Sequence, residues 1–212
     1  MDDLKQLFDS IVEGNAKVVR SITEDQIAHG IDPNVLLNGY MIPAMNEVGK
    51  RFEAGDYFVP ELLMSARAMK GALELLRPLL ASKGAEPVGR VAIGTVKGDL
   101  HDIGKNLVAA MLEGGGFEVF DLGVDVPPQK FIDAVRQHNA GIVAMSALLT
   151  TTMGSMKLVV DGLQSAGVRA QVKVMIGGAP ITQQFAQEIG ADGYSDNASG
   201  AVTLARKLLG TA

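Results

Sequence analysis

A short stretch of this chain combines residue types that can hold a metal ion. It reads Gly-Asp-Leu-His-Asp-Ile-Gly and places Asp99 two residues before His101, with Gly98 and Gly104 at its ends. One ring nitrogen of a histidine can bind a metal while the other donates a hydrogen bond to a carboxylate, which makes the ligand more basic. The terminal glycines let a bulky group approach the backbone closely. The spacing predicts a metal-binding His101 supported by Asp99; an exposed loop histidine beside helix-capping aspartates is the alternative.

The segments on either side place this stretch between a strand and a helix. The apolar, largely β-branched run Val91–Val96 predicts a buried strand before it. The helical spacing of apolar residues from Lys105 to Glu113 predicts a helix after it, ended by a run of glycines. Because ligands of open α/β sheets bind at the carboxyl ends of the strands, His101 is predicted to lie at a ligand-binding edge.

Strands and helices alternate strictly through the second part of the chain. Such alternation implies a parallel sheet with right-handed crossovers. We therefore expect a flavodoxin-like (Rossmann-like) five-stranded parallel α/β domain over residues 91–212. Its predicted strands are Val91–Val96, Glu118–Leu122, Ile142–Ala147, Val172–Ile176 and Gly193–Ser195, and its predicted helices are 105–113, 129–138, 152–165, 182–189 and 199–209.

The first part of the chain predicts helices only. Apolar residues between Leu4 and Val12 follow the spacing of one buried helical face. Asp32 and Pro33 form an N-cap followed by a proline at the first helical position. A further helix begins at Pro60, and Pro78 is expected to end or kink it.

The predicted fold class is therefore α followed by α/β. A four-helix-type bundle is expected over residues 1–83, as a helical domain of its own. Small, charged, glycine and proline residues at 84–90 predict a linker between this bundle and the α/β domain.

Two more short motifs lie at predicted strand ends, Ser146-Ala147-Leu148 after the third strand and Gly177-Gly178 after the fourth. Together with Asp-x-His-x-x-Gly at residues 99–104, they resemble the signature of cobalamin-binding domains. In that family the loop histidine replaces the cofactor's own dimethylbenzimidazole as the lower ligand of cobalt. The resemblance thus implies a corrinoid cofactor, cobalamin, with His101 as the cobalt ligand.

The resemblance also implies a set of contacts around this ligand. Asp99 and Thr152 would stand behind His101 in a His–Asp–hydroxyl relay, where cobalamin-dependent methionine synthase has a serine in place of the threonine. From the residues alone, the threonines at 150–152 equally fit helix caps, and the glycine pair fits either a turn or a slot for a flat heterocycle. The other implied cofactor contacts are Gly98, Leu100, Asp102, Ile103, Gly104, Gly123, Val124, Ser146, Leu148, Thr150, Gly177, Gly178 and Ala198.

The helical part resembles the cap that covers the upper face of the corrin in methionine synthase. Phe52, Val59 and Leu62 match the positions that shield the methyl group there, although their periodicity equally fits an ordinary bundle core. A cap followed by a corrinoid domain resembles the stand-alone methyl carriers of methyltransferase systems in anaerobes.

The family then implies a carrier without catalytic residues of its own. It would hold a methyl group as methyl-Co(III) between a substrate-specific methyltransferase and a second methyltransferase with tetrahydrofolate or a thiol as acceptor. A reductive activator is a further implied partner.

Composition excludes several other classes. The net charge of −5, without a Lys/Arg-rich stretch, argues against nucleic acid as a partner. The absence of cysteine excludes Fe–S clusters and cysteine-ligated zinc. The N-terminus lacks a signal-peptide core, and the most apolar run, Ala140–Leu149, is too short to span a membrane, so we expect a cytoplasmic protein.

Three alternatives share parts of this pattern. A cobalamin-dependent mutase subunit has the same histidine loop but needs no methyl-shielding cap. A cobalamin-based sensor needs a DNA-binding region, for which residues 1–83 leave no room once the cap is placed. A phospho-receiver needs an aspartate at the end of the third strand, where Ala144-Met145-Ser146 stands. The mutase and sensor interpretations stay open at this point.

Overall fold

The computed structural model describes residues 2–84 and 86–211, so Ala85 of the predicted linker and the two terminal residues lie outside the described part. Two compact units divide the chain. One contains the described residues up to Pro87 together with Glu113–Gly116, and the other contains Val88–Leu112 and the residues from Phe117 onward.

The first unit is helical. Its elements are α1 (Asp2–Val12), α2 (Ala16–Ala28), α3 (Pro33–Leu36), a π-helical turn (Leu37–Met41), α4 (Ile42–Glu53) and α5 (Val59–Ser82). Because α3, the π-helical turn and α4 follow one another without a break, these elements make four helical rods in the described residues, and the predicted four-helix-type bundle is confirmed.

Local sequence explains where the third rod begins, as predicted. Asp32 has an extended backbone, and its carboxylate accepts a hydrogen bond of 2.9 Å from the N–H of Asn34. Pro33 occupies the first helical position, where its missing N–H costs no intrahelical bond.

Pro78 was expected to end or kink its helix, and it does not end it, because α5 continues through Pro78 to Ser82. A proline inside a helix loses one backbone hydrogen bond. Leu76 and Leu80 on either side of it are buried, so packing of the apolar face outweighs that loss.

The second unit is a five-stranded sheet flanked by helices, as predicted. All its paired strands run parallel, in the order β2-β1-β3-β4-β5. Element ends differ from the predicted ones by at most two residues. The strands are β1 (Arg90–Thr95), β2 (Glu118–Asp121), β3 (Ile142–Ser146), β4 (Lys173–Gly177) and β5 (Gly193–Tyr194), and the helices are α6 (Ile103–Gly114), α7 (Pro128–His138), α8 (Gly154–Ser165), α9 (Gln183–Ile189) and α10 (Ala198–Leu209).

The strand order determines where a ligand can enter. The chain goes to one side of β1 to form β2 and to the other side to form β3, so the loops after β1 and β3 diverge at their carboxyl ends. Thr95 of β1 pairs with Ser146 of β3, which pairs with Gly177 of β4. The three motif-bearing loops therefore leave the sheet at one level.

None of the described helices is both long enough and apolar enough to cross a membrane.

Candidate functional site

The loop after β1 turns sharply before His101. Gly98 has a φ of +87°, a backbone conformation that residues with a side chain rarely adopt. Below the turn, the hydroxyl of Thr95 donates to the backbone carbonyl of His101 at 2.8 Å. The end of β1 thus holds the histidine backbone directly over the strand.

Asp99 lies fully buried beneath His101 and accepts hydrogen bonds on both carboxylate oxygens. Oδ1 accepts from the backbone N–H of His101 at 3.1 Å and faces its ring Nδ1 at 3.0 Å. Oδ2 accepts from the N–H groups of Leu148 and Leu149 at 2.8 and 3.3 Å and from the hydroxyl of Thr152 at 2.8 Å. Burial acts to raise the pKa of Asp99, but hydrogen bonds from Leu148, His101 and Thr152 outweigh it and hold the pKa well below its usual range.

This arrangement fixes the tautomer of His101. Because Asp99 is a carboxylate at neutral pH, it only accepts hydrogen bonds, and Nδ1 of His101 must carry the shared proton. The lone pair of the neutral ring is then on Nε2, which has no hydrogen-bond partner among the residues that the structure describes. The side chain is 54% exposed. An exposed imidazole nitrogen with its partner nitrogen bound to a carboxylate is suited to ligate a transition metal.

Thr152 lies behind Asp99 and close to Gly98. Thr152 is buried, and its methyl carbon lies on the side where a residue at 98 would project a side chain, 3.5 Å from an ideal Cβ position. That distance is an ordinary van der Waals contact, so the positive φ at position 98, and not the methyl group of Thr152, accounts for the glycine.

The loops around His101 expose large apolar side chains. Leu100 and Ile103 flank the histidine and are 72% and 80% exposed. The loops after β2 and β3 add Val124, Leu148 and Leu149, which are also exposed. Exposed apolar residues grouped on one edge mark a binding surface for an apolar partner or ligand.

The glycine pair at the end of β4 is required by packing of the backbone. A Cβ on Gly178 would collide with the carbonyl of Ala147, and one on Gly177 would lie 2.9 Å from the carbonyl of Ser195. The slot expected from the two missing side chains is thus filled, in these directions, by the neighbouring loops. The glycines bring the ends of β3, β4 and β5 together.

Two family models match this chain, and both are described as a B12 binding domain. One covers residues 89–203 and the other covers residues 3–77. The chain belongs to the B12-binding family.

Similar corrinoid proteins match almost the whole chain. Trimethylamine corrinoid protein 1 of Methanosarcina acetivorans is 41% identical over 203 residues, which cover 95% of this chain and 94% of that protein. The dimethylamine corrinoid protein of Methanosarcina barkeri is 41% identical over 207 residues, 97% of each. In the crystal structure of the methanol:cobalamin methyltransferase complex MtaBC from Methanosarcina barkeri, one chain is 30% identical with a TM-score of 0.87, covering 100% of this chain and 81% of that chain. The predicted family and its cofactor, cobalamin, are confirmed.

The residues at this edge of the sheet fit a corrinoid. Nε2 of His101 offers one ligand to cobalt, and the exposed apolar side chains offer contact to a broad ring. Gly104, in the first turn of α6, adds open space, because a Cβ there would meet no atom within 4 Å. Nowhere in the described residues is a group of three His, Cys, Asp or Glu side chains arranged to hold a metal.

The remaining predicted contacts differ in how much of them is exposed. Asp102, Thr150 and Val124 are exposed on the loops, and Gly123 and Ser146 are half-buried. Ala198, by contrast, is buried at the start of α10, immediately after the N-cap Asn197. In the helical unit, Val59 is exposed, Phe52 is half-buried and Leu62 is fully buried.

Lys105 is a site residue that the sequence reasoning missed. It is only 3% exposed, and its ammonium group donates to Asp121 and to Asn106, each at 2.6 Å. Asp121 in turn accepts from the N–H of Gly123 at 2.9 Å, so Lys105 fastens the loop after β2 to the start of α6. A lysine in the first turn of a helix is unfavourable with respect to the helix dipole. This position could have indicated that Lys105 has a specific acidic partner.

Asp125 is a second residue that was missed. Its carboxylate accepts from the N–H of Gly98 at 2.7 Å, and its own N–H donates to the carbonyl of Asp99 at 2.9 Å. No local pattern indicates this contact, because the partners are 27 positions apart.

Proposed function

We propose that this chain is a methyl carrier that binds cobalamin in the base-off, His-on form, with Nε2 of His101 as the lower ligand of cobalt. One observation carries the proposal. The buried carboxylate of Asp99 accepts a hydrogen bond from Nδ1–H of His101 at 3.0 Å, which leaves Nε2 available on a half-exposed ring beside apolar side chains.

The relatives support the carrier role. They are named as corrinoid proteins for trimethylamine and dimethylamine, and the structural relative is a methanol:cobalamin methyltransferase complex. We therefore propose two partners, a methyltransferase that delivers the methyl group and a second one that passes it to tetrahydrofolate or a thiol. A reductive activator would restore oxidised cofactor. Similarity along nearly the whole chain favours this function over a mutase subunit or a sensor.

The chain's own residues bind and orient in this proposal. Bound cobalt supplies the nucleophile that accepts the methyl group and the site that later releases it. Asp99 holds the imidazole in one tautomer, and Thr152 and the N–H of Leu148 hold Asp99. Leu100 and Ile103 present exposed apolar side chains beside His101, which would contact the corrin ring. The substrate chemistry then resides in the partner enzymes.

Electron paramagnetic resonance of the Co(II) state tests the ligand assignment. The purified chain is loaded with cobalamin whose own base carries ¹⁵N, beside the His101→Ala variant. We expect the splitting of one axial ¹⁴N in the wild type and its loss in His101→Ala. An axial ¹⁵N in both proteins, or no cobalamin binding by the wild type, contradicts the proposal.

The carrier role has a test of its own. Methylated, cobalamin-loaded protein is mixed with a thiol and a methylcorrinoid:thiol methyltransferase, or with tetrahydrofolate and a methylcorrinoid:tetrahydrofolate methyltransferase, and the methylated acceptor is measured. We expect transfer from the wild type, and a loaded chain that transfers to neither a thiol nor tetrahydrofolate would contradict this role.

A further inference from the structure

Asp125 has an unfavourable backbone conformation in the loop after β2. Its φ is +51°, and the other non-glycine residue with a positive φ in the described chain is Asn139, at +50°. Asn139 ends α7 as a left-handed cap, which is an ordinary place for this conformation. Asp125 ends no helix, so its conformation must be held by what it contacts.

Both polar groups that Asp125 directs at the β1 loop meet residues just before His101. Its Oδ1 accepts from the N–H of Gly98 at 2.7 Å, and its N–H donates to the carbonyl of Asp99 at 2.9 Å. The hydrogen bond from Gly98 and the nearby charge of Lys97 hold the pKa of Asp125 below its usual range, so the acceptor at neutral pH is a carboxylate.

Asp99 is consequently held from two sides. Its side chain is held by the loop after β3, through Leu148 and Thr152, and its main chain is held by Asp125 from the loop after β2. The side-chain contacts orient the carboxylate toward the ring of His101. The main-chain contact fixes the position of the Asp99 backbone, from which that carboxylate projects.

We infer that Asp125 is a positioning residue, an inference that rests on the proposed function. It would place the Gly98–Asp99 turn so that Nε2 of His101 is positioned to ligate cobalt. An exposed hydrogen bond contributes little to global stability, and the side chain of Asp125 is 44% exposed. Its effect should therefore be seen in the ligation of cobalt more than in the stability of the fold.

Three substitutions separate the side chain from the backbone. Asp125→Asn keeps an acceptor oxygen and tolerates a positive φ. Asp125→Gly also allows the positive φ but removes the acceptor, and Asp125→Ala removes the acceptor and disfavours the φ. Asn139→Ala is the matched control, because it strains a positive φ away from the site.

The measurement is the ratio of His-coordinated to uncoordinated cobalt in the Co(II) spectrum, with ¹⁵N in the cofactor's own base. We expect the ratio to fall about tenfold in Asp125→Gly and Asp125→Ala, near the lower limit for residues that support a metal ligand. Asp125→Asn should keep the ratio close to that of the wild type. Asn139→Ala should leave the ratio unchanged although it lowers the melting temperature.

The outcomes distinguish this inference from the function on which it rests. A wild type without a His101 signal overturns the proposed function and the inference with it. A normal wild type with an unchanged ratio in Asp125→Gly overturns the inference alone. A similar fall in Asn139→Ala also overturns it, because the effect would then follow from general destabilisation.

Discussion

The ring Nδ1 of His101 lies 3.0 Å from Oδ1 of Asp99, a carboxylate that is itself completely buried. A buried charge is tolerated only when hydrogen bonds replace the water it has lost. Here the same hydrogen bonds that stabilise Asp99 fix the direction in which His101 presents its free nitrogen. The stability of the loop and the coordination chemistry proposed for it thus depend on one carboxylate.

Acid should weaken the fold through Asp99. The pKa of Asp99 is lower in the folded chain than the value of about 3.9 in an unfolded one. Its contribution to the stability of the fold is therefore complete above about pH 4 and is lost as the pH falls toward the folded pKa. The expected loss from this group is up to about 1.4 kcal/mol per pH unit in that range. Urea unfolding at a series of pH values measures it.

Asp99→Asn provides the comparison for this pH dependence. Asparagine keeps the shape of the side chain but has no charge to titrate. The unfolding free energies of wild type and variant should therefore differ most near neutral pH and converge in acid. Asp161→Asn, in an exposed ion pair of α8, should leave the wild-type pH dependence in place. Parallel curves for wild type and Asp99→Asn below about pH 4 would contradict the assignment.

The hydroxyl and the methyl group of Thr152 should have separate effects. Thr152→Val removes the donor to Asp99 and should destabilise the chain by about 1 to 2 kcal/mol. It should also raise the pKa of Asp99, which calorimetry in acid would report. Thr152→Ser keeps the donor and removes the methyl group beside Gly98. It should therefore lower the stability by about 1 kcal/mol without raising the pKa of Asp99. Equal acid sensitivity of the two variants would argue against the hydrogen bond.

Lys105 and Asp121 should respond unequally to removal. Asp121→Ala leaves a buried ammonium group with Asn106 as its remaining hydrogen-bond partner among the described residues, and about 3 kcal/mol of stability should be lost. Lys105→Met leaves a half-exposed carboxylate that water can solvate, so a loss below about 1.5 kcal/mol is expected. Chemical denaturation of both variants measures the difference, and the opposite order would contradict the burial of Lys105.

Gly104→Ala should separate folding from cofactor binding. A methyl group there meets no atom within 4 Å and lies in a helix, so the cofactor-free chain should gain about 0.5 to 1 kcal/mol. If a corrinoid approaches this glycine, the same methyl group should weaken cobalamin binding about tenfold. Spectroscopic titration measures the affinity. Gly71→Ala, which is also unobstructed within a helix, should stabilise the chain and leave the affinity unchanged.

Sequence patterns predicted the elements of this chain better than the contacts between them. The parallel sheet follows from strict alternation of strands and helices, and the end of β1 follows from its apolar run. Of the two effects expected of Pro78, an end or a kink, the helix end is not found, because buried neighbours that a local pattern does not reveal outweigh the lost hydrogen bond.

The same limit applies to the site. Asp99 and His101 are two residues apart, and their pairing follows from spacing alone. Thr152 entered through the resemblance to a family, since it lies 53 positions from Asp99. Asp125 and Lys105 were missed, because their partners lie 27 and 16 positions away and no motif connects them.

The long reach of Asp99 has a consequence for the biogenesis of the protein. Its Oδ2 takes its donors from residues 49 to 53 positions further along the chain, so the carboxylate is satisfied only after β3 has docked beside β1. A chain that has emerged only as far as β2 lacks the partners that orient His101. We therefore expect a chain to bind cobalamin through His101 only once β3 has paired with β1.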